Sequence, residues 1–290
     1  MSRREITLAG RRVLITGAAR GIGALTARRL HERGARLALL GIEPDLLGAV
    51  AADCAATWHP CDVADRTQVD AAVAAAVSEL GGLDIVIANA GIAAQLPLVG
   101  GDPTIFEKTM AVNTFGTYYV LRATGEHISH PGGYVLLTAS LAAAVHAPLL
   151  GAYSASKAAV EALGNTLRTE LRPSGARVGV AYYAELDTEM TSRGFATKAA
   201  QRSGLGGHGP LPVAPVGPAI DAIEAGIRHR SRRVVSPARV AYILPMRMAV
   251  QRGVDLAMRR RVAAALEIAR SEEASFTTPQ ESAAVSHPAR

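Results

Sequence analysis

Short apolar runs alternate with longer stretches of helical periodicity along most of this chain, and this alternation restricts the fold more than any other feature. The apolar runs lie at residues 12–16, 36–40, 83–88, 134–139, 178–182 and 234–235, and residues 58–63 lead through a short third strand. Apolar strands separated by helices are typical of a parallel sheet whose two faces are both covered. We therefore predict an α/β fold with a doubly wound, mostly parallel sheet of about seven strands and helices on both faces.

Composition shifts divide the chain into a sheet-forming part and two C-terminal segments. Residues 1–237 carry the alternating pattern and are expected to form one domain, in which the Gly-, Pro- and Ser-rich stretch at about 191–218 is a mobile loop. Residues 238–270 combine an apolar side with several arginines, which predicts a helical extension. Residues 271–290 are polar and contain two prolines, so we expect a disordered tail there.

Charge and cysteine content exclude several classes of protein. The net charge is +6, but only 4% of residues are aromatic and the arginines are spread along the chain, so no nucleic-acid partner is expected. Two cysteines, Cys54 and Cys61, are too few for a disulfide scaffold or a four-ligand zinc site. We therefore expect a cytoplasmic protein with no bound metal.

One long stretch, residues 127–156, contains no Asp, Glu, Lys or Arg and has the length of a membrane span. Prolines and glycines interrupt it, and serines and threonines are scattered between them. We therefore interpret it as a buried strand, a loop and the start of a helix.

A glycine-rich turn follows the first predicted strand and opens the first helix, over Thr16–Gly23. Its spacing is G-x-x-x-G-x-G, and the residues of interest in it are Gly17, Arg20, Gly21, Ile22 and Gly23. Glycines in such a turn let the backbone approach a pyrophosphate, whose charge is stabilised by the helix N-terminus. A purely structural turn is the alternative, but the strand–turn–helix context favours a dinucleotide site.

Tyr153 and Lys157 lie four residues apart in a predicted helix, which places both side chains on one face. A nearby cation favours the phenolate form of tyrosine and makes it a better acid–base catalyst near neutral pH. Ser140 follows the fifth predicted strand, at the sheet edge where ligands of open α/β sheets bind. Taken alone, the Tyr-x-x-x-Lys spacing is common and is better explained as a surface pair.

Taken together, these motifs resemble the short-chain dehydrogenase/reductase family over roughly residues 11–235. The matching elements, in chain order, are Thr16–Gly23, Asn89-Ala90-Gly91 after the fourth strand, Asn113, Ser140, Tyr153 and Lys157. The resemblance implies a Rossmann sheet, a nicotinamide dinucleotide cofactor, and hydride transfer between a carbonyl and an alcohol. It also implies a homodimer or homotetramer.

The resemblance implies a role for each catalytic position. Tyr153 would be the general acid in reduction and the general base in oxidation, while Lys157 would lower the pKa of Tyr153 and bind the nicotinamide ribose. Ser140 would orient the substrate oxygen and stabilise its developing charge. Asn113 would position a water that relays protons from Lys157 to solvent, although an asparagine bonded to nearby backbone is an equally good explanation of that residue alone.

Further cofactor contacts follow from the same resemblance. Asp62 and Val63 match the adenine-contacting pair of the family, and Thr188 falls where the family contacts the carboxamide. The residues expected beside the cofactor, partly as braces of the central sheet, are Asn89, Ala90 and Gly91.

Two departures from the family pattern affect the cofactor site. Tyr183-Ala184 replaces the Pro-Gly pair that usually follows the sixth strand, which brings an aromatic residue to the pocket. Gly41 ends the second strand, where many NAD-dependent members have an acidic residue. Arg20 matches a 2′-phosphate, whereas Glu43 would bind ribose hydroxyls and repel a phosphate. The cofactor is therefore NAD or NADP, and we favour NAD.

The predicted substrate side is mostly apolar. Besides Ser140 and Tyr153, the residues expected to line it are Val145, Leu149, Tyr183, Met190 and Phe195. Because few charges occur there, we predict a lipophilic ketone or secondary alcohol as the substrate. His146 is expected at the rim of the pocket.

Alternatives stay open for the C-terminal extension and for the activity. Residues 238–270 are a helical cap, a subunit contact or a membrane-surface helix, and Pro245 and the acidic residues favour the first two. The alternatives to an oxidoreductase are a catalytically idle, dinucleotide-binding regulator and a lyase or epimerase on the same scaffold. The complete set of catalytic residues argues against the regulator.

Overall fold

The computed structural model of the protein describes residues 5–194, 197–204, 212–272 and 276–277. Within these residues, seven strands form one parallel sheet in the order β3-β2-β1-β4-β5-β6-β7. The strands are β1 (Arg12–Thr16), β2 (Arg36–Gly41), β3 (Thr57–Pro60), β4 (Ile85–Ala88), β5 (Tyr134–Thr138), β6 (Arg177–Tyr183) and β7 (Arg233–Ser236). This arrangement confirms the predicted doubly wound α/β fold.

Helices connect the strands and cover both faces of the sheet. They are α1 (Gly21–Glu32), α2 (Pro44–Asp53), α3 (Arg66–Leu80), α4 (Pro103–Met110), α5 (Gly116–Ile128), α6 (Gly151–Glu170), α7 (Glu189–Gly194), α8 (Lys198–Ser203), α9 (Gly217–Arg228), α10 (Val240–Ile243), α11 (Arg247–Met258) and α12 (Val262–Ser271). A π-helical turn, Ala111–Phe115, joins α4 to α5. Asp65 and Asp102 accept hydrogen bonds from backbone N–H groups in the first turns of α3 and α4, so both are N-caps.

Two apolar layers, one on each face of the sheet, hold the helices in place. Successive strand residues point to opposite faces. On one face Leu14 packs in the same layer as Val160 of α6. On the other face Ile15 shares a layer with Leu30 of α1 and Ile223 of α9. Because helices cover both faces, the loops at the carboxyl ends of the strands form the edge where a ligand can enter.

The strand order reverses at β1, which pairs in parallel with both β2 and β4. In an open α/β sheet the loops diverge at such a point and leave a crevice. The glycine turn follows β1 and Asn89 follows β4, so both lie at this crevice. The topology therefore brings together two motifs that are far apart in the sequence.

The C-terminal part folds back onto the sheet domain. The stretch expected to be a mobile loop contains α7, α8 and the start of α9, with residues 195–196 and 205–211 outside the described residues. Phe276 and Thr277 fall where we expected a disordered tail, yet Thr277 is buried and hydrogen-bonds through its backbone N–H and its Oγ1 to the backbone of Ala93. Across the described ranges, no helix is long and apolar enough to cross a bilayer.

Candidate active site

The glycine turn between β1 and α1 leaves open space that fits a phosphate. Gly21 has a φ of +55°, and no other atom lies within 4 Å of the position that a Cβ would take there. A Cβ at Gly23 would overlap the carbonyl oxygen of Gly17, so the tight turn requires glycine. The first N–H groups of a helix have no partner within the helix and attract an anion. The turn therefore fits the pyrophosphate of a dinucleotide.

Asn89 braces this turn from the neighbouring strand. Its Nδ2 donates to the carbonyl oxygens of Thr16 and Gly17, at 3.1 and 3.3 Å. In return, Thr16 Oγ1 accepts from the backbone N–H groups of Asn89 and Ala90, both at 3.0 Å. The bracing contacts expected of Asn89 are thus present, and they fix the glycine turn against the end of β4.

Asn113 lies in the π-helical turn and is completely buried. Its Nδ2 donates to the Ile92 carbonyl oxygen and to Ser156 Oγ, both at 2.9 Å, and its Oδ1 accepts from the Ile92 N–H at 2.8 Å. A Cβ at Gly91 would lie 3.1 Å from Lys157 Nζ and 3.2 Å from Asn113 Oδ1, so the two side chains meet at this glycine. The contacts make Asn113 a positioning residue that connects the segment after β4 to α6.

Ser140 and Tyr153 bring two hydroxyl groups together between the end of β5 and the first turn of α6. The Ser140 hydroxyl is close enough to affect the pKa of Tyr153, and its Oγ donates to the Tyr183 carbonyl oxygen at 3.4 Å and accepts from the Ala142 N–H at 3.1 Å. Burial raises the pKa of Tyr153, and the Ser140 hydroxyl opposes part of that rise. Tyr153 is therefore protonated near neutral pH.

Lys157 is buried one helical turn after Tyr153 and faces the tyrosine ring. Its Nζ donates to the Thr138 carbonyl oxygen at 2.8 Å and lies 5.7 Å from the centroid of the Tyr153 ring. Desolvation by burial lowers the pKa of Lys157 to about 8. Desolvation by burial sets the net upward direction of the Tyr153 pKa, and the lowering by Lys157 that the family resemblance implies stays a prediction.

Arg20 forms ion pairs at the end of the site that is expected to hold the adenosine. Its guanidinium pairs with both carboxylate oxygens of Glu43, with Nε to Oε2 at 2.7 Å, and its Nη1 binds Glu189 Oε2 at 2.7 Å. Nearby, Asp62 binds Lys108 Nζ at 3.2 Å. The two residues that we weighed as opposing determinants of cofactor choice are thus partners of each other.

A cavity of about 400 Å³ joins these groups along the carboxyl ends of the strands. The predicted site residues that line it are Gly17, Arg20, Gly21, Ile22, Glu43, Asp62, Val63, Asn89, Ala90, Gly91, Ser140, Val145, Tyr153, Lys157, Tyr183, Thr188 and Met190. Gly23 and Asn113 do not line the cavity, but they contact Gly17 and Ile92, which do. Leu149 does not line it and packs instead in an apolar cluster with Ala199 of α8 and Ala265 of α12. Phe195 lies outside the described residues.

The C-terminal extension contributes cavity residues that the sequence did not indicate. Four of them are Val254, Ala257, Met258 and Thr277, and a fifth, Arg239, directly precedes α10. Gln251 ties α11 to the segment after β5, because its side chain accepts from the His146 N–H at 2.7 Å and donates to the His146 carbonyl oxygen at 3.1 Å. No local pattern marks these residues, since their partners lie far away in the sequence.

The side chains that line the cavity determine what chemistry it can support. Among the residues that the structure describes, no three His, Cys, Asp or Glu side chains are placed to share a metal ion. What the cavity does offer is a pair of hydroxyl groups, a buried ammonium group and an open glycine turn. This combination suits proton transfer to an oxygen atom beside a bound dinucleotide.

The sequence model of the family described as short chain dehydrogenase matches residues 11–199, well over half of the chain. The matched range contains the glycine turn, Asn113, Ser140, Tyr153 and Lys157. The chain belongs to the short-chain dehydrogenase/reductase family. Members of this family are oxidoreductases with an NAD(P)-binding Rossmann fold.

Named relatives of this short-chain dehydrogenase differ in what they act on. Over 192 residues it is 33% identical to a D-threitol dehydrogenase of Mycolicibacterium smegmatis, covering 64% of this chain and 74% of that protein. Over 194 residues it is 31% identical to a fatty acyl-CoA reductase of Mycobacterium tuberculosis, covering 64% and 66%. A short chain dehydrogenase of Burkholderia cenocepacia, solved in complex with NADP, has a TM-score of 0.73 at 27% identity and covers 87% of this chain and 99% of its own.

Proposed function

We propose that the protein interconverts a lipophilic ketone and the corresponding secondary alcohol with a nicotinamide dinucleotide, using Tyr153 as the acid–base group. The observation that carries this proposal is the convergence of Tyr153, Ser140 and Lys157 on one cavity that continues to the open glycine turn. When bound, the nicotinamide supplies the hydride in reduction and accepts it in oxidation. The protein binds and orients the reactants and moves the proton.

Ser140 and Tyr153 act on the reacting oxygen. Their hydroxyl groups are adjacent, so a carbonyl oxygen that contacts both accepts two hydrogen bonds, which stabilise the negative charge that develops on it. In reduction Tyr153 donates its proton to this oxygen, and in oxidation its phenolate takes the proton from the alcohol. Because burial raises the pKa of Tyr153, reduction is favoured near neutral pH and oxidation gains as the pH rises.

Lys157 holds the cofactor beside this pair. One of its N–H groups is used by the Thr138 carbonyl oxygen, and the others remain for ribose hydroxyls in the same cavity. The cation over the Tyr153 ring also favours the phenolate when the tyrosine gives up its proton. Asn113 supports this arrangement by fixing the backbone at Ile92.

The ion pairs of Arg20 support NAD over NADP. A 2′-phosphate at this end of the cavity would have to displace two carboxylates from the guanidinium and would be repelled by both of them. Ribose hydroxyls, in contrast, can donate hydrogen bonds to Glu43.

Glu43→Gln tests this preference. We expect kcat/KM for NADP relative to NAD to rise about tenfold, because one repelling charge disappears and Arg20 becomes available to a phosphate. Asp45→Asn, which neutralises an exposed carboxylate on α2, is the matched control and should leave the ratio unchanged. A higher kcat/KM for NADP in the wild type, or a ratio that Glu43→Gln does not move, would contradict the preference for NAD.

Apolar side chains in the cavity support a lipophilic substrate, among them Val145, Met190 and Met258. The test is a panel of cyclic, steroidal and aliphatic secondary alcohols beside threitol, followed by the absorbance of the reduced nicotinamide. We expect the lipophilic members to have the higher kcat/KM. Turnover confined to small polyols would overturn this substrate class but leave the oxidoreductase activity in place.

We also propose a cytoplasmic homodimer or homotetramer. Cys54 and Cys61 are free and buried, and burial raises the pKa of Cys61 to about 12, which suits thiols kept reduced. Phe115, at the end of the π-helical turn, and Tyr118, in α5, have exposed aromatic side chains, which support a subunit contact on this surface. Sedimentation of the full chain as a monomer would contradict this assembly.

A further inference from the structure

Arg239 is a cation of the cavity that the proposed proton and hydride transfers do not use. It directly precedes α10 and lines the cavity together with Pro212. Its Nη2 donates to the Pro212 carbonyl oxygen at 3.0 Å, whereas its Nε is buried and has no hydrogen-bond partner. Buried N–H groups without a partner are rare in folded proteins, and each one calls for an explanation such as a missing ligand.

Other charged side chains of the cavity already have partners or roles. Three carboxylates of the cavity are engaged in the ion pairs Glu43–Arg20, Glu189–Arg20 and Asp62–Lys108. Lys157 belongs to the catalytic group. Glu185 lines the cavity and has contacts of its own, but neither it nor any other carboxylate in the described ranges lies within 4.0 Å of the Arg239 guanidinium. Within the described part of the cavity, Arg239 is thus a cation that still lacks an anionic partner.

The surroundings of Arg239 make an anionic ligand favourable. Much of the cavity wall is apolar, including Met190 and Met258, and an ion pair is stronger where water is excluded. A guanidinium presents parallel N–H donors whose geometry matches the two oxygens of a carboxylate. The terminal Nη1 and Nη2 of Arg239 form such a parallel pair, since the bond to Pro212 uses only one of their four N–H groups.

We infer that Arg239 binds a carboxylate of the substrate. The substrate is then an amphiphilic oxo acid or hydroxy acid, whose apolar body fills the cavity while its carbonyl or hydroxyl group reaches Tyr153. This inference rests on the proposed function and specifies the substrate class of the same site.

Matched oxo acids and their methyl esters, in graded chain and ring sizes, separate the effect of the charge from that of the apolar body. With full-length wild type and NAD, the acid of the best pair should have a KM about tenfold below that of its ester. Arg239→Met should raise the KM of the acid about tenfold to a hundredfold, with kcat changed less than about twofold and the ester unaffected. Arg239→Lys should restore part of the affinity.

Arg252→Met is the matched control, because Arg252 is exposed on α11 and does not line the cavity. It should change neither substrate's KM. If Arg239→Met weakens acid and ester equally, the residue acts only through its bond to Pro212 and the inference fails. It also fails if the acid is unaffected. A lower KM for the matching phosphate monoester than for the acid would overturn the assignment of a carboxylate.

A binding measurement separates this inference from the proposed function. If the wild type turns over neither acid nor ester, nor any alcohol of the panel, with either dinucleotide, the oxidoreductase proposal fails on its own. The Arg239 inference is then decided by thermal unfolding in the presence of the oxo acid. The acid should raise the Tm of the wild type but not of Arg239→Met, and equal shifts in the two proteins would overturn it.

Discussion

At the scale of single residues, Lys157 is the side chain whose burial destabilises the folded protein while it places an ammonium group in the candidate active site. Its pKa falls from an ordinary value of 10.5 to about 8 because burial removes water from the ammonium group. Near neutral pH the charged form therefore costs the folded state about 3 kcal/mol. Lys157→Met removes this cost and loses the bond to Thr138. We expect the free energy of unfolding to rise by about 1–2 kcal/mol near neutral pH, measured by urea denaturation.

The gain from Lys157→Met should shrink as the pH rises. Above about pH 8 the wild-type lysine loses its proton in the folded protein but keeps it in the unfolded chain up to about 10.5, so its penalty disappears over that range. Lys198→Met, at an exposed lysine of α8, should show no such dependence on pH. A gain for Lys157→Met that stays constant with pH, or a loss of stability, would contradict the burial of a charged lysine.

At the scale of elements, α11 is the helix whose function depends most on contacts made elsewhere. It has no buried residue, yet three of its side chains line the cavity, and Gln251 holds it through both backbone groups of His146. Gln251→Ala should reduce stability by about 1 kcal/mol or less. We expect the KM for lipophilic substrates to rise several-fold with the Kd for the dinucleotide unchanged.

Steady-state kinetics and fluorescence titration of the dinucleotide measure these two quantities. Met248→Ala is the control, because Met248 lies on the same helix but is 80% exposed. If the KM is the same in wild type and Gln251→Ala, α11 does not form part of the substrate site.

Elements with local signals were predictable from the sequence, whereas those with distant partners were not. Apolar runs, the caps Asp65 and Asp102 and the glycine turn act through neighbouring residues, so their structures follow from short stretches of chain. Leu149 looked like a pocket residue because it is apolar and close to the catalytic helix. It is instead covered by α12, and no local pattern shows where a C-terminal helix will pack.

At the scale of the whole molecule, the cavity is built from two ends of the chain. The first part supplies the glycine turn, Ser140 and the catalytic helix, and the last part supplies Arg239, α11 and Thr277. Thr277 closes this arrangement through its two hydrogen bonds to Ala93. The residues on the cofactor side of the cavity could therefore be predicted from motifs in the sequence. The substrate side was not, because its shape depends on how the C-terminal segment folds back.

The central claim is that Tyr153 transfers the proton in a dinucleotide-dependent oxidation and reduction. The most direct test compares wild type with Tyr153→Phe on the best alcohol of the panel, with dinucleotide binding measured in parallel. We predict that kcat falls about 10²- to 10⁴-fold while the Kd for the dinucleotide is unchanged, because phenylalanine keeps the ring that Lys157 contacts. Undiminished turnover by Tyr153→Phe would contradict the assignment of the acid–base group. Dinucleotide binding by the wild type without turnover of any alcohol or ketone would contradict the proposed activity and favour a regulatory role.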